Sequence, residues 1–161
     1  MKGNKMSVYH IVINPAGASG RTNECWDIIK KELDTIGVDY KVHLSNLEHG
    51  IKDIMEELTS NDERVNIILI GGDGSMNLAV NGIVNFDKTY LGLIPCGSGN
   101  DLAKSLGIHR TEIECLHRIL NDQNGKDLDV GVLTYHTRYD EKGNKVSDEP
   151  YSRRYNISSG I

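Results

Sequence analysis

Short runs of apolar, β-favouring residues alternate along the chain with segments whose apolar residues recur at helical spacing. The runs predict strands at 8–13, 40–44, 65–70 and 90–94. The helical segments have apolar faces made of Trp26, Ile29, Leu33 and Ile36, of Ile51, Ile54, Met55 and Leu58, of Met76, Ala79, Val80 and Ile83, and of Ile113, Leu116 and Leu120. This alternation predicts an α/β fold of three layers, in which helices cover both faces of a parallel sheet.

Polar and glycine residues mark the predicted ends of these elements. Gly37 is expected to end the first helix, and Ser45 or Asn46 to cap the second. A short helix is expected to begin near Asp101. The helix starts expected near Ser45 or Asn46 and near Asp101 leave loops directly after the strands that precede them.

The pattern changes at Asp127, after which no helical spacing follows. Two longer strands are predicted at 127–138 and 151–157, with a hairpin turn at Lys142-Gly143-Asn144 between them. We therefore expect an α/β domain at 1–126 and, at 127–161, a hairpin that enters an antiparallel β domain. Two strands alone are seldom stable, so this stretch should lean on the α/β part or be partly mobile.

Composition narrows the class of protein. The 161 residues, 38% hydrophobic and 25% charged, suit one globular domain with a piece of a second. A formal net charge of -5 argues against nucleic acid as a partner. No apolar run is long enough for a transmembrane helix, and residues 1–7 lack a signal-peptide core. Three widely spaced cysteines, Cys25, Cys96 and Cys115, argue against a disulfide framework and favour a reducing cytoplasm.

The stretch Gly71-Gly72-Asp73-Gly74 joins a predicted strand to a predicted helix. Glycines allow close approach to the backbone, and the amides at a helix start favour an anion such as phosphate. A carboxylate at Asp73 would repel that anion. It makes sense either if a cation such as Mg²⁺ lies between the two, or if Asp73 orders the loop instead.

Two further loops follow strands in the same way, at 14–22 and at 95–101. In a parallel sheet the loops after the strands open on one edge, which is where open α/β sheets bind ligands. Together they predict a phosphate-binding site. The spacing does not fit a P-loop, whose first glycine would fall on Pro15, nor a dinucleotide fingerprint, whose last glycine would fall on Leu102.

The motifs Asn14-Pro15, Gly71-Gly72-Asp73-Gly74-Ser75 and Pro95-Cys96-Gly97-Ser98-Gly99-Asn100-Asp101-Leu102-Ala103 resemble the catalytic domain of the diacylglycerol kinase and sphingosine kinase superfamily of lipid kinases. The order and spacing agree over nearly the whole chain. Asp127-Leu128-Asp129-Val130-Gly131 and the stretch 155–160 resemble the segments where that family enters its second domain. The implied fold is a nucleotide-binding domain of the type that NAD kinases and diacylglycerol kinases share.

The resemblance implies transfer of the γ-phosphoryl group of ATP, with Mg²⁺, to a lipid hydroxyl at a membrane surface. Asp73 would be the catalytic acidic residue and the one near the metal. The implied nucleotide-site residues are Asn14, Pro15, Ala16, Gly17, Ala18, Ser45, Gly71, Gly72, Asp73, Gly74, Ser75, Met76, Asn77, Gly97, Ser98, Asn100 and Asp101. Ser75 stands where the family more usually has threonine, and Asn100 and Asp101 would shape the loop and the acceptor side.

In that family the general base and a structural metal site lie in the second domain. Because this chain ends at Ile161, we expect it to be the nucleotide-binding part of a kinase and inactive or nearly so by itself. Two alternatives stay open, a kinase of another acceptor such as NAD and a non-catalytic nucleotide-binding module. The setting would be the cytoplasm or its membrane surface, and the oligomeric state, a homodimer included, is open.

Overall fold

The computed structural model describes residues 8–155 apart from 109, 123 and 124, and the side chains of Ala18 and Ser19 are also outside the description. Asn124 and the end of the strand predicted at 151–157 therefore lie beyond the described residues, as does nearly all of the 155–160 motif.

A four-stranded parallel sheet forms the middle layer. Its strands are β1 (Tyr9–Ile13), β2 (Tyr40–Leu44), β3 (Val65–Gly71) and β4 (Thr89–Pro95), in the order β2-β1-β3-β4. The two central strands consist mostly of buried β-branched and leucine residues, as expected for strands covered on both faces. The predicted α/β fold with a parallel sheet is confirmed.

Helices cover both faces of this sheet. They are α1 (Arg21–Ile36), α2 (Ile51–Thr59), α3 (Asp73–Gly82), α4 (Asp101–Ser105) and α5 (Glu112–Asn121), with 3₁₀ turns at Gly17–Gly20 and Phe86–Lys88. Alternate residues of β3 face opposite ways. Ile68 and Ile70 pack with α1 and α5, whereas Ile67 and Leu69 pack with α2 and α3. The result is the predicted arrangement of three layers.

The predicted buried faces are right for α3 and shifted for α1. Met76, Ala79, Val80 and Ile83 are all buried. In α1 the buried positions are Thr22, Cys25, Ile29 and Leu33, whereas Ile36 is 47% exposed. Ile36 is the last helical residue before Gly37, which has φ 74° and ends the helix as predicted. In α5, Leu116 is buried but Ile113 is 39% exposed.

The predicted cap of α2 is wrong. The helix begins after Gly50, whose N–H donates to the Asp53 carboxylate at 2.8 Å. The Asn46 side chain instead accepts the N–H groups of Glu48 and His49, each at 2.8 Å. Asn46 thus closes a turn within the connection, because its carbonyl oxygen meets these nearby amides first.

The C-terminal stretch forms two small antiparallel pairs. They are made by β5 (Gly131–Tyr135) with β8 (Tyr151–Tyr155) and by β6 (Arg138–Tyr139) with β7 (Lys145–Ser147). The turn at Lys142-Gly143-Asn144 is confirmed, with Gly143 at φ 80° and Asp140 accepting from both neighbours. The strand predicted at 127–138 is shorter, because a bend at residues 136–137 separates β5 from β6.

The C-terminal strands lean on the α/β part through α3. The Asn81 side chain accepts the N–H of Arg154 at 2.9 Å and donates to its carbonyl at 2.8 Å, as a neighbouring strand would. The Arg154 guanidinium donates to the carbonyl of Ile83 at 2.8 Å, beyond the end of α3. These contacts confirm the expected support from the α/β part.

Candidate functional site

The three glycine-containing loops lie side by side at one edge of the sheet. Pairing of β1 with β3 places Ile13 beside Ile70, and pairing of β3 with β4 places Gly71 beside Pro95. The residues that follow these positions are therefore neighbours. The N–H of Ser45 donates to the carbonyl of Ile13 at 2.9 Å, so Ser45 joins the same edge beside Asn14.

The turns after β3 and β4 touch backbone to backbone. The N–H of Cys96 donates to the carbonyl of Gly71 at 2.9 Å. A Cβ atom on Gly72 would lie 2.8 Å from the Cα of Gly97, and one on Gly97 would lie 2.6 Å from the Cα of Gly72. Both distances are shorter than any ordinary contact. Glycine is needed at Gly72 and Gly97 because of this approach, since neither has a positive φ.

The Asp73 carboxylate bridges the two turns. Its Oδ2 accepts the N–H of Asp101 at 2.9 Å, and its Oδ1 accepts the N–H of Leu102 at 3.2 Å. These are amides at the start of α4, which are otherwise without helical partners. Of the two explanations left open by the sequence, loop ordering by Asp73 is therefore present in the structure.

A second carboxylate lies close to Asp73. A Cβ atom built on Gly99 would be 3.0 Å from Asp73 Oδ2 and 3.8 Å from both carboxylate oxygens of Asp101. The two carboxylates thus lie on the same side of Gly99, next to the exposed Ser98. Ser98 and Asp73 are on the same side of the molecule, as the sequence predicted.

Asn100 closes the second turn. Its Oδ1 accepts the N–H of Gly97 at 2.9 Å, and its Nδ2 donates to the carbonyl of Gly97 at 2.8 Å. Asn100 has φ 53°, and within the described residues it is the one non-glycine residue with a positive φ. The side chain that the resemblance assigned to nucleotide binding is engaged with its own loop.

The first loop is folded on itself in a similar way. The Asn14 side chain accepts the N–H of Ala16 at 3.1 Å, and its carbonyl accepts the N–H of Gly17 at 3.0 Å. The hydroxyl of Thr22, a buried residue in α1, donates to the carbonyl of Gly17 at 3.1 Å. Thr22 belongs to the predicted loop but not to the predicted site, and a hydroxyl on an apolar helix face is the signal that could have indicated its role.

The remaining predicted residues lie in the first turn of α3, where some of them are near the glycine loops and others face away. Gly74 and Ser75 lie at the helix start, where Ser75 packs beside Gly71. Met76 is 7% exposed and its side chain belongs to the core between α2 and α3, so only its backbone is near the turn. The Asn77 side chain meets Asn81 at 3.0 Å, away from the loops. At this edge of the sheet, the stretch 71–77 therefore presents its backbone more than its side chains.

The structure pairs two of the three cysteines, although the sequence argues against a disulfide framework. The structure pairs Cys25 and Cys96 in a disulfide, with Cα atoms 6.8 Å apart, and leaves Cys115 as a buried free thiol whose pKa is raised, chiefly by burial. Their separation of 71 residues hides the pair in the sequence. It forms because α1 packs over the end of β4, where Cys96 begins the second turn. The bond links α1 to that turn.

The fit to a metal rests on carboxylates. Among residues 8–155, as far as they are described, no group of three or more histidine, cysteine, aspartate or glutamate side chains could hold an ion. Within the described residues, the carboxylates of Asp73 and Asp101 both lie near Gly99, and Asp101 Oδ1 is also 3.6 Å from the Lys104 ammonium. Mg²⁺ is typically held by one or two carboxylates together with substrate phosphates, so this pair fits such an ion when it arrives with a nucleotide.

Comparison with protein families decides the class. The model of the diacylglycerol kinase catalytic domain matches residues 8–133. The chain belongs to this family. The match includes all three loops of the edge and ends in β5, so the family covers the whole α/β part described above.

Individual relatives agree with the family. The chain is 30% identical over 112 residues to YtlR of Bacillus subtilis (strain 168), whose name gives it as a candidate lipid kinase, with 67% of this chain and 36% of YtlR covered. It is 50% identical over 69 residues to a diacylglycerol kinase of the same organism, covering 42% of this chain and 22% of that one. The chain thus spans well under half the length of these relatives.

A solved structure shows the same fold. The crystal structure of a diacylglycerol kinase from Bacillus anthracis str. Sterne superimposes with a TM-score of 0.58 at 23% identity, over 80% of this chain and 44% of that one. Among the described residues, no helix has the length and apolar character required to cross a membrane.

Proposed function

We propose that the chain is the nucleotide-binding part of an ATP-dependent lipid kinase, which transfers the γ-phosphoryl group of ATP to a lipid hydroxyl. The observation that carries this proposal is the joined pair of glycine turns, in which Gly72 touches Gly97 and Asp73 bridges to α4. Phosphoryl transfer depends mainly on positioning and on charge neutralisation, and tied loops at one sheet edge suit both.

In this proposal the turn at Gly71–Ser75 and the start of α3 bind the phosphates through backbone N–H groups. The ten-residue α3 directs the positive end of its dipole toward this edge. Ser98 would donate its hydroxyl to the same phosphates. The loop of Asn14, Pro15, Ala16, Gly17 and Ala18, together with Ser45, would line the remainder of the nucleotide.

Asp73 and Asp101 would hold Mg²⁺ with the phosphates. When bound, the ion neutralises the phosphate charge that these carboxylates would otherwise repel. Asp73 keeps its two amide hydrogen bonds in this arrangement, because each carboxylate oxygen has a further lone pair. Asp73 would then serve both the loop and the metal.

A groove beside the edge strand β4 supports a lipid acceptor. This cavity of about 640 Å³ has an apolar part lined by Met76, Val80, Leu91, Leu93 and Leu102, and its lining also carries charged side chains, among them Arg64, Asp87, Arg110, Arg118, Lys126 and Asp127. Met76 and Val80 belong to α3 and Leu102 to α4, the two helices that begin at the glycine turns. An acyl chain in this groove would lie within reach of the proposed phosphate site.

We also propose the division into domains at 1–126 and 127–161.

ATP titration by calorimetry tests nucleotide binding. We expect ATP to bind more tightly with Mg²⁺ than without it, and Asp73→Ala to weaken the Mg²⁺-dependent binding at least tenfold. Asp39→Ala is the matched control, because Asp39 precedes β2 at the opposite edge of the sheet. Equal absence of ATP binding in the native chain and in Asp73→Ala would refute the proposal.

Transfer of labelled phosphate from ATP to diacylglycerol, sphingosine and NAD tests the acceptor. Labelling of a lipid, lost in Asp73→Ala, supports the proposed class. Labelling of NAD alone would favour the kinase of another acceptor. ATP binding without any labelling is the result expected of a nucleotide-binding part whose general base lies in another domain, and a non-catalytic nucleotide-binding module would give the same result.

A further inference from the structure

Asn100 combines an unusual backbone with a side chain that is hydrogen-bonded through both its oxygen and its nitrogen. Its φ of 53° lies in the left-handed region, which costs a residue with a Cβ more than it costs glycine. Asparagine tolerates this region better than most residues, because its short amide bonds to local backbone. Here both the carbonyl and the amino group of that amide bond to Gly97.

The two hydrogen bonds fix Gly97, and Gly97 is the residue that touches the other turn. The Cα of Gly72 is 2.6 Å from the Cβ position of Gly97, and the Asn100 Oδ1 is 2.8 Å from the same position. Gly72 and the Asn100 side chain therefore both pack against the Cβ face of Gly97, and the Asn100 Oδ1 also lies 3.7 Å from the Cβ position of Gly72. A shift of Asn100 would be transmitted to the contact between the turns.

We infer that Asn100 is a positioning residue, which sets the separation of the two glycine turns through Gly97 and does not itself contact the nucleotide. The inference rests on the proposed function, since the turns are taken to bind one phosphate chain. It assigns Asn100 an indirect role, whereas the resemblance implied direct contact.

The residue type fits this role better than its closest substitutes. Glycine would adopt the positive φ freely but has no side chain to hold Gly97. Aspartate would still accept the Gly97 N–H but would lose the donor to the Gly97 carbonyl. It would also add a third carboxylate beside Asp73 and Asp101, where phosphate is proposed to bind.

The main experiment is a double-mutant cycle on ATP affinity with Asn100→Gly and Gly97→Ala. If Asn100 acts through Gly97, Asn100→Gly lowers ATP affinity at least tenfold in the native chain but less than twofold in the Gly97→Ala background. A direct contact with ATP would lower the affinity by the same factor in both backgrounds, and that additivity would overturn the inference. Unchanged affinity in Asn100→Gly would overturn it as well.

Hydrogen exchange of the Gly97 amide, in the absence of nucleotide, is the second measurement. We expect Asn100→Gly to speed this exchange at least tenfold, because the Gly97 N–H loses its acceptor, and Asn100→Asp to keep most of the protection. An unchanged rate would contradict the inference even where Gly97→Ala binds too little ATP for the cycle. Native protein that fails to bind ATP while Gly97 behaves as expected would refute the proposed function and leave the contact between the turns established.

Asn144→Gly is the matched control. Asn144 is also an asparagine in a tight turn, where its side chain bonds to Asp140, but it lies in the hairpin of β6 and β7. We expect its substitution to leave ATP affinity and Gly97 exchange within twofold of the native values. Asn100→Gly and Asn144→Gly should unfold at similar temperatures, which separates positioning from a general loss of structure.

Discussion

Strands β3 and β8 belong to the same chain but are held in different ways. In β3 only Asn66 is not buried, and neighbouring strands pair with it on both sides. In β8 only Arg154 is partly buried, and one strand pairs with it. Apolar burial therefore stabilises the sheet, whereas β8 depends on hydrogen bonds to α3, of which the amide of Asn81 supplies two.

The difference indicates which part can position a ligand. Loops at the end of a buried parallel sheet inherit the rigidity of its core, and here they carry the proposed site. Strands with little buried apolar surface open locally at lower free energy than the core does. The C-terminal pairs should therefore detach without disturbing the glycine turns.

Truncation of a core side chain should give the largest effect. Leu69 is 0% exposed and Val132 is 61% exposed. Leu69→Ala should lower the free energy of unfolding by about 2–5 kcal/mol, whereas Val132→Ala should change it by less than about 0.5 kcal/mol. Chemical denaturation measures both. Similar losses in the two variants would show that β5 and β8 share the core of the sheet.

Reduction of the Cys25–Cys96 bond should give the second-largest loss of stability. A disulfide typically contributes about 2–4 kcal/mol, chiefly by constraining the unfolded chain, and more for longer loops such as this one. Denaturation with and without dithiothreitol should show this difference in the native chain and in Cys115→Ser, but not in Cys96→Ser. A reductant effect that persists in Cys96→Ser would mean that another pair carries it.

Asn81→Ala should act chiefly on the C-terminal strands, since its other hydrogen bonds, to Asn77, lie within α3. Loss of its two hydrogen bonds to the Arg154 backbone should cost about 1–3 kcal/mol of local stability. Hydrogen exchange should then rise in β8 and remain unchanged in β3. Leu78→Ala, at an exposed position of the same helix, is the control. Faster exchange in β3 would break the distinction between the two regions.

The smallest effect should be a dependence on pH confined to the sheet. His10 and His43 stack on β1 and β2 with nitrogens 2.9 Å apart. Burial is the main cause that lowers the pKa of each histidine below 6.5. The charges of His43 and Lys41 lower the pKa of His10 further. For His43, the charges of Lys41 and His49 lower the pKa and the charge of Glu57 raises it.

Because the folded state disfavours the protonated rings, their contribution to stability is complete above pH 6.5 and is lost as pH falls below it. Denaturation at pH 7.5 and 5.5 should show a smaller acid loss in His43→Gln than in the native chain. His136→Gln, at an exposed position in the C-terminal stretch, should keep the native loss. An undiminished loss in His43→Gln would assign the acid sensitivity to other groups.

Sequence patterns predicted the strands and their shared edge because burial and chain connectivity determine both. They did not predict how the loops are tied together. The bond between Cys25 and Cys96 joins residues 71 positions apart, and the bridge from Asp73 to α4 uses backbone amides, which no residue type reveals. The α2 cap was wrong for a related reason, since Asn46, Glu48 and His49 form a local turn that competes with capping.

The contact of Gly72 with Gly97 has a consequence for sequence variation. Neither position can accept a larger residue unless the backbone of the other moves, so the two sites constrain each other although 25 positions separate them. A library that randomises one of them at a time should return glycine almost exclusively. Wider diversity at this edge would have to be sought by exchanging both turns as a single unit.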